Sequence, residues 1–135
     1  MAMTHGNTKL GKLIWGWTLP ALLTICIGAS DVCRRLCYAL KGFFLMGTVK
    51  ESHKRNYEES LGDDFVQRMN TDIRRNFAQV VRVHVGGDFY SVEYIHKWIK
   101  VVRANPAVLF YAYTRSWRDP EFLVHLSQLG MEPNF

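Results

Sequence analysis

The sequence predicts an α/β fold with parallel strands, because its second half twice repeats a β-rich run, a turn and an amphipathic helix. Gln79 to Val85 is rich in β-branched residues and is stopped by Gly86 and Gly87. Ser91 to Arg103 then carries Val92, Ile95, Trp98, Ile99 and Val102 at helical spacing. Asn105 and Pro106 end that helix, and Ala107 to Tyr113 forms the next β-rich run. Asp119 and Pro120 open a final helix with apolar residues at Phe122, Leu123, Leu126 and Leu129. Strands that alternate with helices in this way pair in parallel, the helices serving as crossovers.

The first half reads less cleanly. Lys12 to Trp17 is rich in β-formers and forms a short first strand ending at the Thr18, Leu19, Pro20 turn. A loop with Cys26 and Gly28 follows. Ser30 or Asp31 then caps a helix that contains Cys33 and Cys37, since a short side-chain oxygen there accepts the free amide hydrogens of the first turn. Thr48 to Asn56 is polar, basic and helical, and Gly62, Asp63 and Asp64 open a further helix running to about Phe77. The expectation is therefore about three parallel strands in one domain over residues 1–135, with disorder confined to Met1 to Thr8.

Composition bounds the function. The chain is 48% apolar and 21% charged, a globular profile, and carries a formal charge of +5. The charge gathers at Arg34 and Arg35, at Lys50, His53, Lys54 and Arg55, and at Arg74 and Arg75. Such clusters meet nucleic acid in some proteins, but solvated helix faces explain them equally well, because no aromatic residues interleave them in a binding motif. Leu13 to Ala29 follows Lys9 and Lys12 and resembles the apolar part of a signal peptide. Pro20 interrupts it, Ile25 is a poor cleavage site, and a bilayer span takes about 20 consecutive apolar residues. No membrane segment is expected. With three cysteines, an odd number, the sequence points to a reduced, cytoplasmic protein whose thiols serve metal binding or catalysis.

Cys26, Cys33 and Cys37 are spaced C-x6-C-x3-C. The last two stand at i and i+4 on the predicted helix and share a face, and the preceding loop lets Cys26 reach the same point. A helix N-terminus also favours the thiolate, which is the form that binds metal. Three thiolates would leave a cubane iron–sulfur cluster with one open iron, whereas zinc would need a fourth ligand such as His53 or His84. Buried, inert thiols are the structural alternative.

The second constellation is Arg82, His84, Gly86, Gly87 and Asp88. Strand alternation places Val81, Val83 and Val85 on the core face and Arg82 and His84 on the other. The glycines let backbone approach a ligand, and Asp88 stands at the carboxyl end of a parallel strand, where α/β folds place their sites. A tight turn with Asp88 as a helix cap is the competing reading. His96, Trp98 and His125 lie within amphipathic helices and are assigned packing or surface roles, and Tyr111 and Tyr113 are assigned to packing beside Leu109.

A cysteine loop after one strand and a Gly-Gly-acidic turn after the next resembles the arrangement in radical S-adenosylmethionine enzymes, which typically use C-x3-C-x2-C and Gly-Gly-Glu. More closely, four runs resemble the phage gene-product-eighty-eight family. They are Trp15-Gly16-Trp17-Thr18-Leu19-Pro20, Cys33-Arg34-Arg35-Leu36-Cys37-Tyr38-Ala39, Arg82 through Ser91, and Tyr111-Ala112-Tyr113-Thr114-Arg115-Ser116-Trp117. The resemblance implies a partial (β/α) barrel, truncated relative to a full barrel of about 250 residues. It further implies a [4Fe-4S] cluster on Cys26, Cys33 and Cys37, S-adenosylmethionine as cofactor with Asp88 near its amino group, and Thr114 or Arg115 lining the mouth for an unidentified substrate. An open sheet edge in such a partial fold implies an oligomer or a missing C-terminal partner segment. The rival expectations are a metal-braced nucleic-acid-binding module without enzymatic activity and an inactive truncated remnant.

Overall fold

A computed structural model describes residues 3–6 and 11–135. It contains an open four-stranded sheet in the order β1-β2-β3-β4. These strands are β1 (Thr4–His5), β2 (Ile14–Gly16), β3 (Val80–Val83) and β4 (Leu109–Ala112). β2, β3 and β4 run parallel, with Trp15, Val81 and Phe110 in register, while β1 pairs antiparallel with β2. Five helices accompany the sheet: α1 (Asp31–Leu36), α2 (Gly47–Leu61), α3 (Phe65–Arg75), α4 (Val92–Ala104) and α5 (Pro120–Gly130).

The expected partial (β/α) barrel is not found. The sheet is mixed and open, and strands of two to four residues joined to an antiparallel edge do not form the continuous, staggered parallel array that closes a barrel. The expected disorder at Met1 to Thr8 is corrected in part, because Thr4 and His5 form β1 and Met3 is buried. Residues 1, 2, 7 and 8 of that stretch, and Lys9, lie outside the described residues.

Local signals set the helix ends. Ser91 caps α4 by accepting from the Tyr94 amide, and Asp119 caps α5 by accepting from Glu121, with Pro120 at the first helical position. The core lies between one sheet face and α3, α4 and α5. Trp17, Val81, Val83 and Phe110 from the sheet meet Phe65, Met69 and Ile73 of α3, Tyr94, Ile95 and Trp98 of α4, and Leu129 of α5. Edge-to-face ring contacts join them, Trp17 to Phe65 at 5.7 Å and Phe65 to Trp98 at 5.7 Å. The opposite sheet face carries Val80, Arg82 and Tyr111, half-buried, and an exposed Leu109.

Lys97 is a charged residue inside this packing. Its Nζ donates to the carbonyls of Ser60, Leu61 and Gly62 at 3.2, 3.1 and 3.1 Å, where α2 ends and its last carbonyls lack helical partners. Glu93 lies 2.9 Å from the same nitrogen. Lys97→Met keeps the apolar stem but removes the Lys97 donor from the three carbonyls, leaving Gly62 O with Phe65 N–H alone, and is expected to lower stability by about 1–3 kcal/mol, measured by urea denaturation with an unchanged m-value.

Candidate functional site

The sequence builds the site from three segments that meet at the carboxyl ends of β2, β3 and β4. After β2 the chain keeps pairing with β3: Trp17 N–H donates to Arg82 O, Val85 N–H to Trp17 O and Leu19 N–H to Gly86 O. This zipper carries the cysteine loop to the Gly86–Gly87 turn. Gly87 has φ +81°, and a Cβ there would lie 2.6 Å from Leu19 Cβ, so the turn takes glycine for both its backbone angle and its closeness.

Asp88 follows at once. It is buried, and its Oδ1 accepts from Phe89 N–H at 2.8 Å and from the Thr114 hydroxyl at 2.5 Å, while Oδ2 accepts from Arg115 N–H at 2.7 Å. Ser116 completes the link by donating from Oγ to Phe89 O at 2.7 Å. The loop after β4 is thereby fixed against the turn after β3. Burial raises the Asp88 carboxyl above the usual range, against the opposing pull of the Thr114, Arg115, Phe89 and Ser116 hydrogen bonds. Gly28 then seats the cysteine loop on this latch, for a Cβ there would stand 1.9 Å from Arg115 O.

Ser30, of the two capping residues expected, is the cap of α1, accepting from Cys33 N–H at 3.2 Å. Cys33 lies within α1, and Cys37 is the residue at its C-terminal cap, not inside the helix. Cys26, Cys33, Cys37, Arg82, His84, Gly86, Gly87, Asp88, Thr114 and Arg115 all line one cavity of ≈ 410 Å³. A neighbouring cavity of ≈ 460 Å³ is walled by Leu22, Leu23 and Leu40 and is lined by the same three cysteines.

Several expectations need correction here. The Cys26 thiol is pushed up to about 12, first by burial and then by Asp88, Cys37 and Cys33, so the expected lowering by a helix N-terminus does not hold for it. Among the described residues no group of three or more His, Cys, Asp or Glu side chains is placed to hold a metal ion. The expectation of a ready metal-binding centre, with zinc completed by His53 or His84, is thereby overturned. His53 packs its ring against Phe44 and His84 is engaged with Tyr94.

His84 also leaves the expected strand alternation. Its φ of +66° ends β3 and turns its ring into the core, edge-on to Phe89 at 4.5 Å. Trp17 Nε1–H donates to the Tyr94 hydroxyl at 2.9 Å, and that hydroxyl lies 3.1 Å from His84 Nε2. Sequence reasoning missed Tyr38 and Tyr94 altogether and gave Tyr113 a packing role. Tyr38 donates to Val85 O and accepts from Arg82 Nη2 at 3.3 Å; Tyr113 is exposed, with the Arg82 guanidinium 5.5 Å from its ring centre. No periodic signal marks them, because each is recruited by tertiary contact. The basic residues Arg34, Arg35, Lys54, Arg55, Arg74 and Arg75 are all exposed, and His96 and His125 bond to each other at 2.9 Å between α4 and α5.

The model of the family described as Gene product 88 matches residues 1–134. The chain belongs to the gene product 88 family. This family member is 33% identical over 101 residues to the Gene 88 protein of Mycobacterium phage L5, covering 67% of this chain and 42% of that relative. It is 28% identical over 104 residues to the Gene 88 protein of Mycobacterium phage D29, with the same two coverages, 67% and 42%. The chain thus spans about two fifths of the length of the curated relatives it matches. No solved structure matches it. Among the described residues of this gene product 88 protein, no helix is long and apolar enough to cross a membrane.

Burial holds the His84 imidazole down at about 3, against an ordinary 6.5. The unfolded chain binds this proton more readily than the folded one, so the ring's share of stability is intact above pH 6.5 and is lost as pH falls towards 3. The expected slope is up to about 1.4 kcal/mol per pH unit. His84→Asn, which tolerates the same backbone angle, should flatten the difference in denaturation midpoint between about pH 6 and pH 4 relative to the parent chain.

Proposed function

We propose that the cysteine-lined cavity of this gene product 88 protein holds an iron–sulfur cluster and that the chain acts on a substrate bound beside it. The observation that carries this reading is that Cys26, Cys33 and Cys37 line the same cavity as the Gly86-Gly87-Asp88 turn. The absence of a closed ligand set for one metal ion does not bear equally on a cluster. A single ion draws its ligands to one point, whereas a cubane takes each thiolate on a separate iron and spreads the sulfurs apart. Loading would also replace the protons of the thiols with iron, which offsets the burial and acidic neighbours that keep Cys26 protonated.

The resemblance to radical S-adenosylmethionine enzymes supports a finer version. In that version the cluster supplies one electron for reductive cleavage of a bound sulfonium. This chain's residues would do the positioning: Arg82, Thr114 and Arg115 line the cavity beside the cysteines. Asp88 is buried and already accepts from Phe89, Thr114 and Arg115, so its first task is to hold the loop. Three free thiols suit a reduced compartment, and the proposed location is the cytoplasm.

Anaerobic reconstitution with ferrous iron and sulfide is expected to give a brown protein with visible charge-transfer absorption and bound iron by elemental analysis. Cys33→Ser and Cys37→Ser should each lose most of that colour. A colourless product from a folded parent chain, or one that takes up zinc alone, would end this reading.

A further inference from the structure

Two nitrogens with almost no accessible surface, on residues that line this cavity, lack any hydrogen-bond partner among the described residues: Arg82 Nε and His84 Nδ1. Both belong to residues that line the space beside the cysteines, at the carboxyl end of β3. A buried donor left unpaired costs about 1–3 kcal/mol, so two at one cavity call for an explanation.

Each is a donor. Arg82 Nε always carries hydrogen. For His84 the ring proton follows from its neighbours: the Trp17 indole, which can only donate, gives its hydrogen to the Tyr94 oxygen at 2.9 Å. The Tyr94 hydroxyl hydrogen can then go to His84 Nε2 at 3.1 Å, and in that tautomer Nε2 accepts and Nδ1 carries the proton. His84 is only 3% exposed, and burial keeps the ring neutral, so this arrangement persists at neutral pH.

The charge around the pair is uneven. Arg82 makes no ion pair with a carboxylate among the described residues; its Nη2 meets the Tyr38 hydroxyl and its plane lies over Tyr113. Asp88, the acid on the same cavity, is spent on Phe89, Thr114 and Arg115. The end of the cavity under Tyr38 and Tyr113 therefore offers a fixed positive charge and two unused N–H donors.

We infer that the ligand of this cavity carries an oxyanion, a carboxylate or a phosphate group, received by Arg82 with His84 Nδ1–H as the second donor. Guanidinium groups match the planar geometry of such anions, and a preset neutral imidazole donor adds direction without adding charge. Exposed Tyr38 and Tyr113 line the same cavity, and since neither nitrogen has appreciable accessible surface, side chains there must move for a ligand to reach them. The inference rests on the cavity being a ligand site, and it stands whether or not a cluster occupies the cysteines.

The test uses the full chain without metal, isotope-labelled, in solution NMR at constant ionic strength. Acetate, inorganic phosphate and neutral acetamide are titrated separately while the Arg82 Nε–H and the His84 ring nitrogens are followed. Saturable shifts of both groups with one of the two anions, and none with acetamide, are expected; acetate alone marks a carboxylate ligand and phosphate alone a phosphate ligand. Arg82→Met should weaken that binding at least tenfold while leaving the amide spectrum folded. No saturable shift with either anion, equal response to acetamide, or a folded Arg82→Met chain that binds as the parent does would overturn the inference. Iron uptake is read independently, so failure here leaves the cluster reading separately testable.

Discussion

The carboxylate of Asp88 accepts from Phe89 N–H, the Thr114 hydroxyl and Arg115 N–H, and so fastens the turn after β3 to the loop after β4. Everything else at the cavity depends on that fastening. With Arg115 held, its carbonyl forms the floor on which Gly28 sits without a side chain, and the cysteine loop is laid across the ends of the strands. These hydrogen bonds oppose the upward push that burial gives the Asp88 carboxyl while they tie the loop to it.

The same arrangement sets the chemistry of the thiols. Cys26 lies deep enough, and close enough to Asp88 and the other two cysteines, that its proton is held tightly in the metal-free chain. A cationic occupant would reverse that balance, because it stabilises the very charges that burial and acidic neighbours oppose. Arg82, with a buried, unpartnered Nε, lines the same cavity, so thiols and a cation share one space. The neighbouring space lined by the cysteines and walled by Leu22, Leu23 and Leu40 completes a setting in which a ligand can be held by chemically different ends.

Much of the fold was legible where the signals are local. The ends of α4 and α5 follow from Ser91, Asn105, Asp119 and Pro120, and the parallel order of β2, β3 and β4 follows from alternating strand and helix patterns. β1 was not legible, since Thr4 and His5 are too few to show a period and are strand only by pairing with Trp15 and Gly16. Barrel geometry was inferred from resemblance and fails, because sheet closure is a property of the whole array and no single strand encodes it. At the site, residue types and spacing marked the cavity walls, yet they did not reveal that His84 reverses its backbone at φ +66°, that Tyr94 orients its ring, or that Cys26 is buried enough to hold its proton. Those facts arise from packing among elements distant in sequence.

Amide hydrogen exchange on the parent chain and on Asp88→Asn tests the latch most directly. The account predicts faster exchange at Arg115, whose N–H loses its acceptor, together with faster exchange at Cys26 and Ala29 in the loop seated on it, while Trp98 and Val102 in α4 stay protected. If Cys26 and Ala29 keep their parent protection while Arg115 opens, the cysteine loop is held by something other than Asp88 and the account is wrong.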